Sequence, residues 1–209
     1  MSTTPGKQSD LNGSVPDNHH TALLLIDVIN HFEFPGGKEL YEKAFPIGPR
    51  IAALKRRAQS AGVPVIYVND NFGKWRSHFP ALVDYCTSPS ATGRDFVEQL
   101  TPGPEDYFVL KPKHSAFYQT PLDILLKSLG TKRLILTGVT TNSCVLFTAQ
   151  DAYMRDLELV IPPDCVAACS AYEQEYSLRQ FQTVVKADTS LSAEVSFELE
   201  NAQPQVYTS

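Results

Sequence analysis

Short runs of uninterrupted apolar residues recur along this chain, and helical stretches fall between most of them. Thr21 to Asp27 reads Thr-Ala-Leu-Leu-Leu-Ile-Asp, and Pro64 to Val68, Tyr107 to Leu110, Arg133 to Thr137 and Leu159 to Ile161 repeat the pattern. Thr183 to Val185 is a weaker sixth run. A strand that is apolar at every position has no polar face to give to water, so both of its faces must be covered, as in parallel sheets. The segment Ile47 to Ala61 puts Ile51, Leu54, Ala58 and Ala61 at helical spacing and stops at Gly62-Val63-Pro64. Further helical segments are expected over Leu122 to Leu129, Asn142 to Arg155 and Tyr172 to Phe181. Strands that alternate with helices build right-handed βαβ units, so the expected fold is a three-layer α/β/α sandwich around a doubly wound, mainly parallel sheet of about six strands. Such sheets bind ligands beyond the carboxyl ends of their strands.

A chain of 209 residues accommodates one such domain, expected over residues 21–189, with tails at 1–20 and 190–209. Hydrophobic residues make up 43% of the chain, enough for a full core. The formal charge of −5 and the lack of any basic block argue against nucleic acid as a partner. Residues 1–20 have neither a basic start nor an apolar stretch, and no run approaches the roughly 20 apolar residues that span a bilayer. A cytoplasmic protein with no membrane contact is expected. Cys86, Cys144, Cys165 and Cys169 are spaced too irregularly for a disulfide framework or paired zinc knuckles, so reduced thiols are expected. Residues 69–103 have little periodicity and read as a long loop with one short helix, a length at which loops usually serve function.

The turn after the first strand, Asp27-Val28-Ile29-Asn30-His31-Phe32, has no glycine, and neither phosphate-cradling glycine motif occurs in the chain, which leaves nucleotide cofactors without support. Three polar groups fall instead at or just beyond the carboxyl ends of three expected strands, where the sheet would aim them into one crevice: Asp27, Lys113 and Cys144. Cys144 stands near the start of an apolar helix, whose partial positive charge and free N–H groups favour a thiolate and can receive an oxyanion. A nearby cation would lower its pKa, and Asp27 could accept the thiol proton and pass it to a leaving amine. Taken singly, each residue has an ordinary alternative. Cys144 could be a small packed residue, Asp27 a turn or capping carboxylate and Lys113 a solvated cation.

Leu25-Ile26-Asp27 with Asn30, Lys113-His-Ser-Ala-Phe117 and Gly138-Val-Thr-Thr-Asn-Ser-Cys144, in that order over residues 20–187, resemble the isochorismatase-like cysteine hydrolases. The resemblance implies an Asp27–Lys113–Cys144 triad that cleaves a C–N bond of a small amide, lactam or carbamoyl compound through a thioester, with water completing the hydrolysis. It further implies a cis peptide at Val139–Thr140, an oxyanion hole from the N–H groups of Thr140 and Cys144, and a homodimer or homotetramer. Two other readings stay open. One is hydrolysis of the isochorismate vinyl ether, which family members perform without a nucleophilic cysteine. The other is a non-catalytic interaction module on the same fold.

Nicotinamidases of that family hold a metal through an Asp-x-His…His cluster after the second strand. Here the stretch Asn69-Asp70-Asn71-Phe72-Gly73-Lys74-Trp75-Arg76-Ser77-His78 lacks the first histidine. No metal and no cofactor are therefore expected, and His78, His19 and His20 read as solvated residues. Phe34, Trp75, Arg76 and Tyr118 are the candidates for substrate binding, with Trp75-Arg76 as a lid or a clamp for a carboxylate or planar group. Phe32 and Phe117 read as packing residues, and Cys86, Cys165 and Cys169 as more suited to packing than to reaction.

Overall fold

The computed structural model describes residues 19–70 and 79–197. A parallel sheet in the order β3-β2-β1-β4-β5 is built from β1 (Thr21–Ile26), β2 (Val65–Asp70), β3 (Tyr107–Lys111), β4 (Arg133–Val139) and β5 (Glu158–Val160), and β6 (Val166–Ala167) pairs with the far end of β4. The chain winds outward from β1 to β3, then crosses to the other side of β1 to begin β4. The switch in winding direction therefore falls between β1 and β4, where a doubly wound sheet opens a crevice at its carboxyl edge.

The apolar runs are explained by two cores, one on each face of the sheet. On β1, Leu23 and Leu25 pack on one side with Leu40 of α1 (Gly37–Ala44), Ile51 and Leu54 of α2 (Gly48–Ser60), Leu82 of α3 (Phe79–Cys86) and Phe96 of α4 (Arg94–Glu98). Ala22, Leu24 and Ile26 face the other way, against Leu126 of α5 (Leu122–Ser128), Ala149 of α6 (Leu146–Tyr153) and Phe181 of α7 (Ala171–Thr183). All six residues of β1 are buried. Among the described residues, no helix is long and apolar enough to cross a membrane.

The expected sixth strand at Thr183 to Val185 does not form. Helix α7 continues through Thr183, and Leu178, Phe181 and Val185, at intervals of three and four, all pack into the second core. That helical spacing, with a capping box between Ser170 and Glu173, outweighs the local β-branched preference. The sixth strand is instead the two-residue β6, too short to leave a sequence signal. The region 69–103, expected as a loop with one short helix, carries both α3 and α4 among its described residues, and α1 occupies the turn-rich segment after Phe34. Each of these helices buries only a few apolar residues, such as Phe79, Leu82 and Cys86 in α3, which gives the sequence little periodicity to show.

Both termini of the described chain are anchored. The His20 carbonyl accepts from the N–H groups of Lys132 and Arg133, and His19 and His20 are half-buried rather than solvated. At the other end Arg57 donates to the carbonyls of Ser192 and Val195, at 2.7 and 2.6 Å, and its guanidinium lies over the Phe197 ring.

One glycine is indispensable to the sheet. Gly138, next to last in β4, has φ of +108°, and a Cβ placed there would run into the Ile26 carbonyl of β1. Gly138→Ala is expected to cost about 3 kcal/mol or more, because left-handed backbone strain of roughly 1–3 kcal/mol adds to displacement of the central strand. Urea unfolding measures it; an unchanged midpoint would refute this account of the β1–β4 seam.

Candidate active site

Asp27 follows the last residue of β1, and its backbone leaves the sheet with φ of +51°, a conformation unusual for a residue other than glycine. Several bonds hold it there. The Asp27 N–H donates to the Val68 carbonyl at 2.9 Å, and the Asn30 amide reaches the Asp27 carbonyl at 3.5 Å while its side-chain oxygen accepts from the Phe32 N–H at 2.8 Å. Fully buried Asn69 donates to the Ile29 carbonyl at 2.8 Å. The carboxylate, on a residue only 6% exposed, accepts the Asp70 N–H at 2.7 Å through Oδ1. Left-handed strain at a buried acidic residue is a feature of functional sites.

The lysine that meets this carboxylate is Lys111, which corrects the sequence assignment of Lys113. The Lys111 side chain has no exposed surface, and its Nζ lies 2.9 Å from Asp27 Oδ2 and 3.3 Å from Cys144 Sγ. Lys113 is exposed and takes part only through its backbone, its carbonyl accepting from Lys111 Nζ at 3.3 Å. Strand periodicity explains the difference. Val109 and Lys111 are the two fully buried residues of β3, and alternation carries both to the same face. Lys113 lies past Pro112, outside the strand. Lys111 is in register with Asp70, whose carboxylate comes within 3.9 Å of Nζ, and that residue was also missed. Its signal was its position as the last residue of the second strand.

Cys144 lies in a π-helical turn, Thr141–Val145, that leads directly into α6. The Val139–Thr140 peptide before it is cis, and the Ser143 and Val145 N–H groups both donate to the Thr140 carbonyl, at 3.1 and 3.2 Å. Two buried hydroxyls lock this turn to its neighbours. Thr141 donates to Gln174 of α7 at 2.7 Å, and Gln174 donates in turn to the Val166 carbonyl of β6 at 3.2 Å. Thr148 donates to the Cys144 carbonyl at 2.7 Å and accepts the Ala116 N–H at 3.0 Å, so one side chain joins the turn that carries Cys144 to the loop after Lys111. Ser115, bonded to Asp151, and the Arg155 guanidinium 4.5 Å from the Phe117 ring centre, fasten that loop further.

The charges in the crevice are strongly coupled. Burial alone would push the Lys111 pKa down, but Asp27, Cys144 and Asp70 more than offset it and hold the lysine as an ammonium. The Cys144 thiol is pushed up to about 12, first by burial and then by the Asp27 charge, against a lowering pull from Lys111. A thiolate favoured by the helix terminus is therefore not the resting form. The resting site pairs a carboxylate with an ammonium beside a protonated thiol, and attack by sulfur requires a base to take that proton.

Other expected residues are placed less centrally. Phe34 and Tyr118 are exposed rings, 40% and 54% accessible, with Phe34 edge-on to His31. Phe32 and Phe117 are buried, as are Cys86 and Cys165, whereas Cys169 is exposed and does not pack as expected. Trp75, Arg76 and His78 lie outside the described residues. Among the described residues, no group of three or more histidine, cysteine or acidic side chains could hold a metal ion. A groove of about 790 Å³ runs along the opposite, amino-terminal ends of β4 and β5, between His20, Arg133, Glu158 and Lys186, and its lining includes none of Asp27, Lys111 and Cys144.

The sequence and the fold have counterparts among known proteins. The family model for the isochorismatase domain matches residues 21–191. An isochorismatase family protein, YaaI of Bacillus subtilis, is 40% identical over 83% of this chain and 95% of its own length. The ureidoacrylate amidohydrolase RutB of Methylorubrum extorquens is 30% identical over 80% of this chain and 78% of its own. The crystal structure of N-carbamoylsarcosine amidase from Thermoplasma acidophilum superposes with a TM-score of 0.63 at 25% identity, covering 84% of this chain and 98% of that one. With most of its length matched by the family model and by a relative of this identity, the chain belongs to the isochorismatase family.

Proposed function

We propose that this chain is a cysteine amidohydrolase that cleaves a C–N bond of a small amide, lactam or carbamoyl substrate, with Asp27, Lys111 and Cys144 as its machinery. The observation that carries the reading is the fully buried Lys111 ammonium, 2.9 Å from a carboxylate and 3.3 Å from a thiol. Burying three such groups together has little structural benefit over apolar packing, and it suits a nucleophile that must shed and regain a proton. Relatives named as ureidoacrylate amidohydrolase and N-carbamoylsarcosine amidase support C–N cleavage as the reaction class.

In this mechanism Sγ of Cys144 attacks the substrate carbonyl carbon as its proton passes to Asp27. The oxygen, now negative, is received by the N–H groups of Thr140 and Cys144. Collapse breaks the C–N bond, Asp27 gives its proton to the departing nitrogen, and a thioester remains for water to hydrolyse. Lys111 stays an ammonium throughout, offsetting whichever of Asp27 and the sulfur carries the negative charge. Nucleophile, proton carrier and cation are all side chains of this chain, so the reaction as written calls on no metal or cofactor. Phe34, Tyr118, Trp75 and Arg76 are the proposed substrate-binding side chains.

The mechanism separates the two lysines. Lys111→Met should lower release of ammonia from a panel of primary amides and ureas, and ring opening of lactams, by about a hundredfold or more, while Lys113→Met stays within about twofold of the parent. The reverse pattern would refute the triad.

Asp27 gives a sharper test, because its charge holds the thiol pKa up while Lys111 pulls it down. Asp27→Asn removes the first influence and leaves the second, so the Cys144 pKa falls. Alkylation by iodoacetamide at pH 7 should then be faster than in the parent, while amide hydrolysis is lost for want of a proton carrier. Slower alkylation in this variant would overturn the electrostatic account. For the acyl-enzyme itself, Cys144→Ala should abolish both turnover and the covalent adduct seen by intact mass. Turnover that survived the change would remove the cysteine from the chemistry.

A further inference from the structure

A polar stripe runs along α6 and the residues at its two ends. Cys144, Thr148, Asp151 and Arg155 follow one another at intervals of four, three and four, the spacing that brings side chains to one side of a helix. All four meet the segment that begins with Lys111. Cys144 Sγ is 3.3 Å from Lys111 Nζ, Thr148 accepts the Ala116 N–H, Asp151 Oδ2 accepts the Ser115 hydroxyl, and the Arg155 guanidinium lies over the Phe117 ring. The neighbouring positions Leu146, Ala149 and Ala152 are apolar and enter the second core, so the stripe is confined to the side that faces this segment. For packing alone, apolar residues would serve as well there, since a hydrogen bond adds little net stability. What directed bonds add is a fixed register between helix and loop.

Asp151 is the member best placed to set that register. Its Oδ2 holds Ser115, a buried residue whose Oγ also accepts the Phe117 N–H at 3.1 Å. Its Oδ1 lies 3.3 Å from Arg155 Nη1, and Nε of the same guanidinium lies 3.6 Å from Asp123 Oδ1 on α5, whose other oxygen pairs with Lys127 at 2.6 Å. A hydroxyl that donates to a carboxylate makes a bond roughly twice as strong as one to a neutral acceptor. Two residues before Ser115 is Lys113, whose carbonyl accepts from Lys111 Nζ at 3.3 Å. The line of support therefore runs from Asp151 to Ser115, along two residues of backbone to the Lys113 carbonyl, and from there to the ammonium beside the sulfur. We propose that Asp151 is a positioning residue for the triad: by holding Ser115 it fixes the Lys113 carbonyl, and thereby how closely Lys111 Nζ approaches Cys144 Sγ. The inference deepens the amidohydrolase reading and rests on it.

Thiol reactivity and turnover together separate this role from plain stabilisation of the loop. Burial and Asp27 hold the Cys144 pKa up and Lys111 draws it down, while His114, an exposed residue, brings Nδ1 to 3.8 Å from the same sulfur. In Asp151→Ala the ammonium is no longer held against the sulfur, so the thiol pKa rises. Alkylation of Cys144 by iodoacetamide at pH 8, followed by peptide mass, should slow about threefold or more, with the rate at exposed Cys169 in the same sample unchanged. With an amide that the parent hydrolyses, kcat should fall about tenfold or more while KM stays within about twofold. Ser115→Ala should reproduce both effects, and the double variant should be no worse than either single one, because both break the same line of support. Asp151→Asn keeps an oxygen to accept the Ser115 hydroxyl and should bring both rates back to within about threefold of the parent. Ser115→Ala removes a single oxygen atom, so it supplies the answer if Asp151→Ala does not fold. Unchanged alkylation and kcat in these variants, or the faster alkylation of a loop that has only loosened, would overturn the role of Asp151 and leave the triad standing. Hydrolysis that survives Cys144→Ala would overturn the triad and this inference with it.

Discussion

A protonated lysine with no accessible surface sets the terms for the rest of this structure. Removing an ammonium from water costs several kcal/mol even after relaxation, and only close, well-aligned partners repay it. Lys111 has them at the ends of three strands and one turn: Asp27 after β1, Asp70 at the end of β2, the Lys113 carbonyl just past β3 and Cys144 in the turn after β4. The sheet order β3-β2-β1-β4 brings those ends side by side. The crevice is thus the place where the parallel sheet can satisfy a buried charge, with Asp27 as its nearest partner.

Much of this arrangement was legible in the residues. The uninterrupted apolar character of β1 follows from its two buried faces, and Asp27 stands out as a carboxylate at the end of such a run. Cys144 was found from its place between β4 and α6. The lysine was misplaced because two lysines flank Pro112 and the motif was anchored on the one nearer to Ser115-Ala116-Phe117; the alternation through Val109 to Lys111 was the better guide, since a side chain's face is fixed by strand parity. The sixth strand was misplaced for the converse reason. Two valines in succession signal a strand locally, but Leu178, Phe181 and Val185 already had a core to enter at helical spacing.

In the proposed mechanism, positioning the reacting groups falls to polar side chains that never touch the chemistry. Thr148 is the clearest case, fully buried and bonded both to the Cys144 carbonyl and to the Ala116 N–H. It couples the turn that carries the sulfur to the loop that follows the ammonium, so a shift in one moves the other. Thr141 and Gln174 do the same toward α7 and β6. Because a misplacement of about 1 Å is enough to cost a large factor in rate, such cross-links between elements matter more to catalysis than their modest net stability suggests.

The charge balance also accounts for why the thiol rests protonated. Asp27 and Lys111 nearly cancel as a pair, so a thiolate added to them would leave the crevice with a net negative charge away from water. Burial and Asp27 together therefore hold the proton on sulfur, and Lys111 reduces that preference without reversing it. Transfer of the proton from sulfur to Asp27 moves the negative charge a few ångströms within the site and creates none. The ammonium stays beside both groups during the move, at 2.9 and 3.3 Å, so the environment has little to reorganise. A nucleophile generated in this way is exposed only while a carbonyl is present to receive it. On the proposed mechanism, the same buried cation that makes the crevice expensive to build thereby confines thiolate chemistry to the moment of turnover.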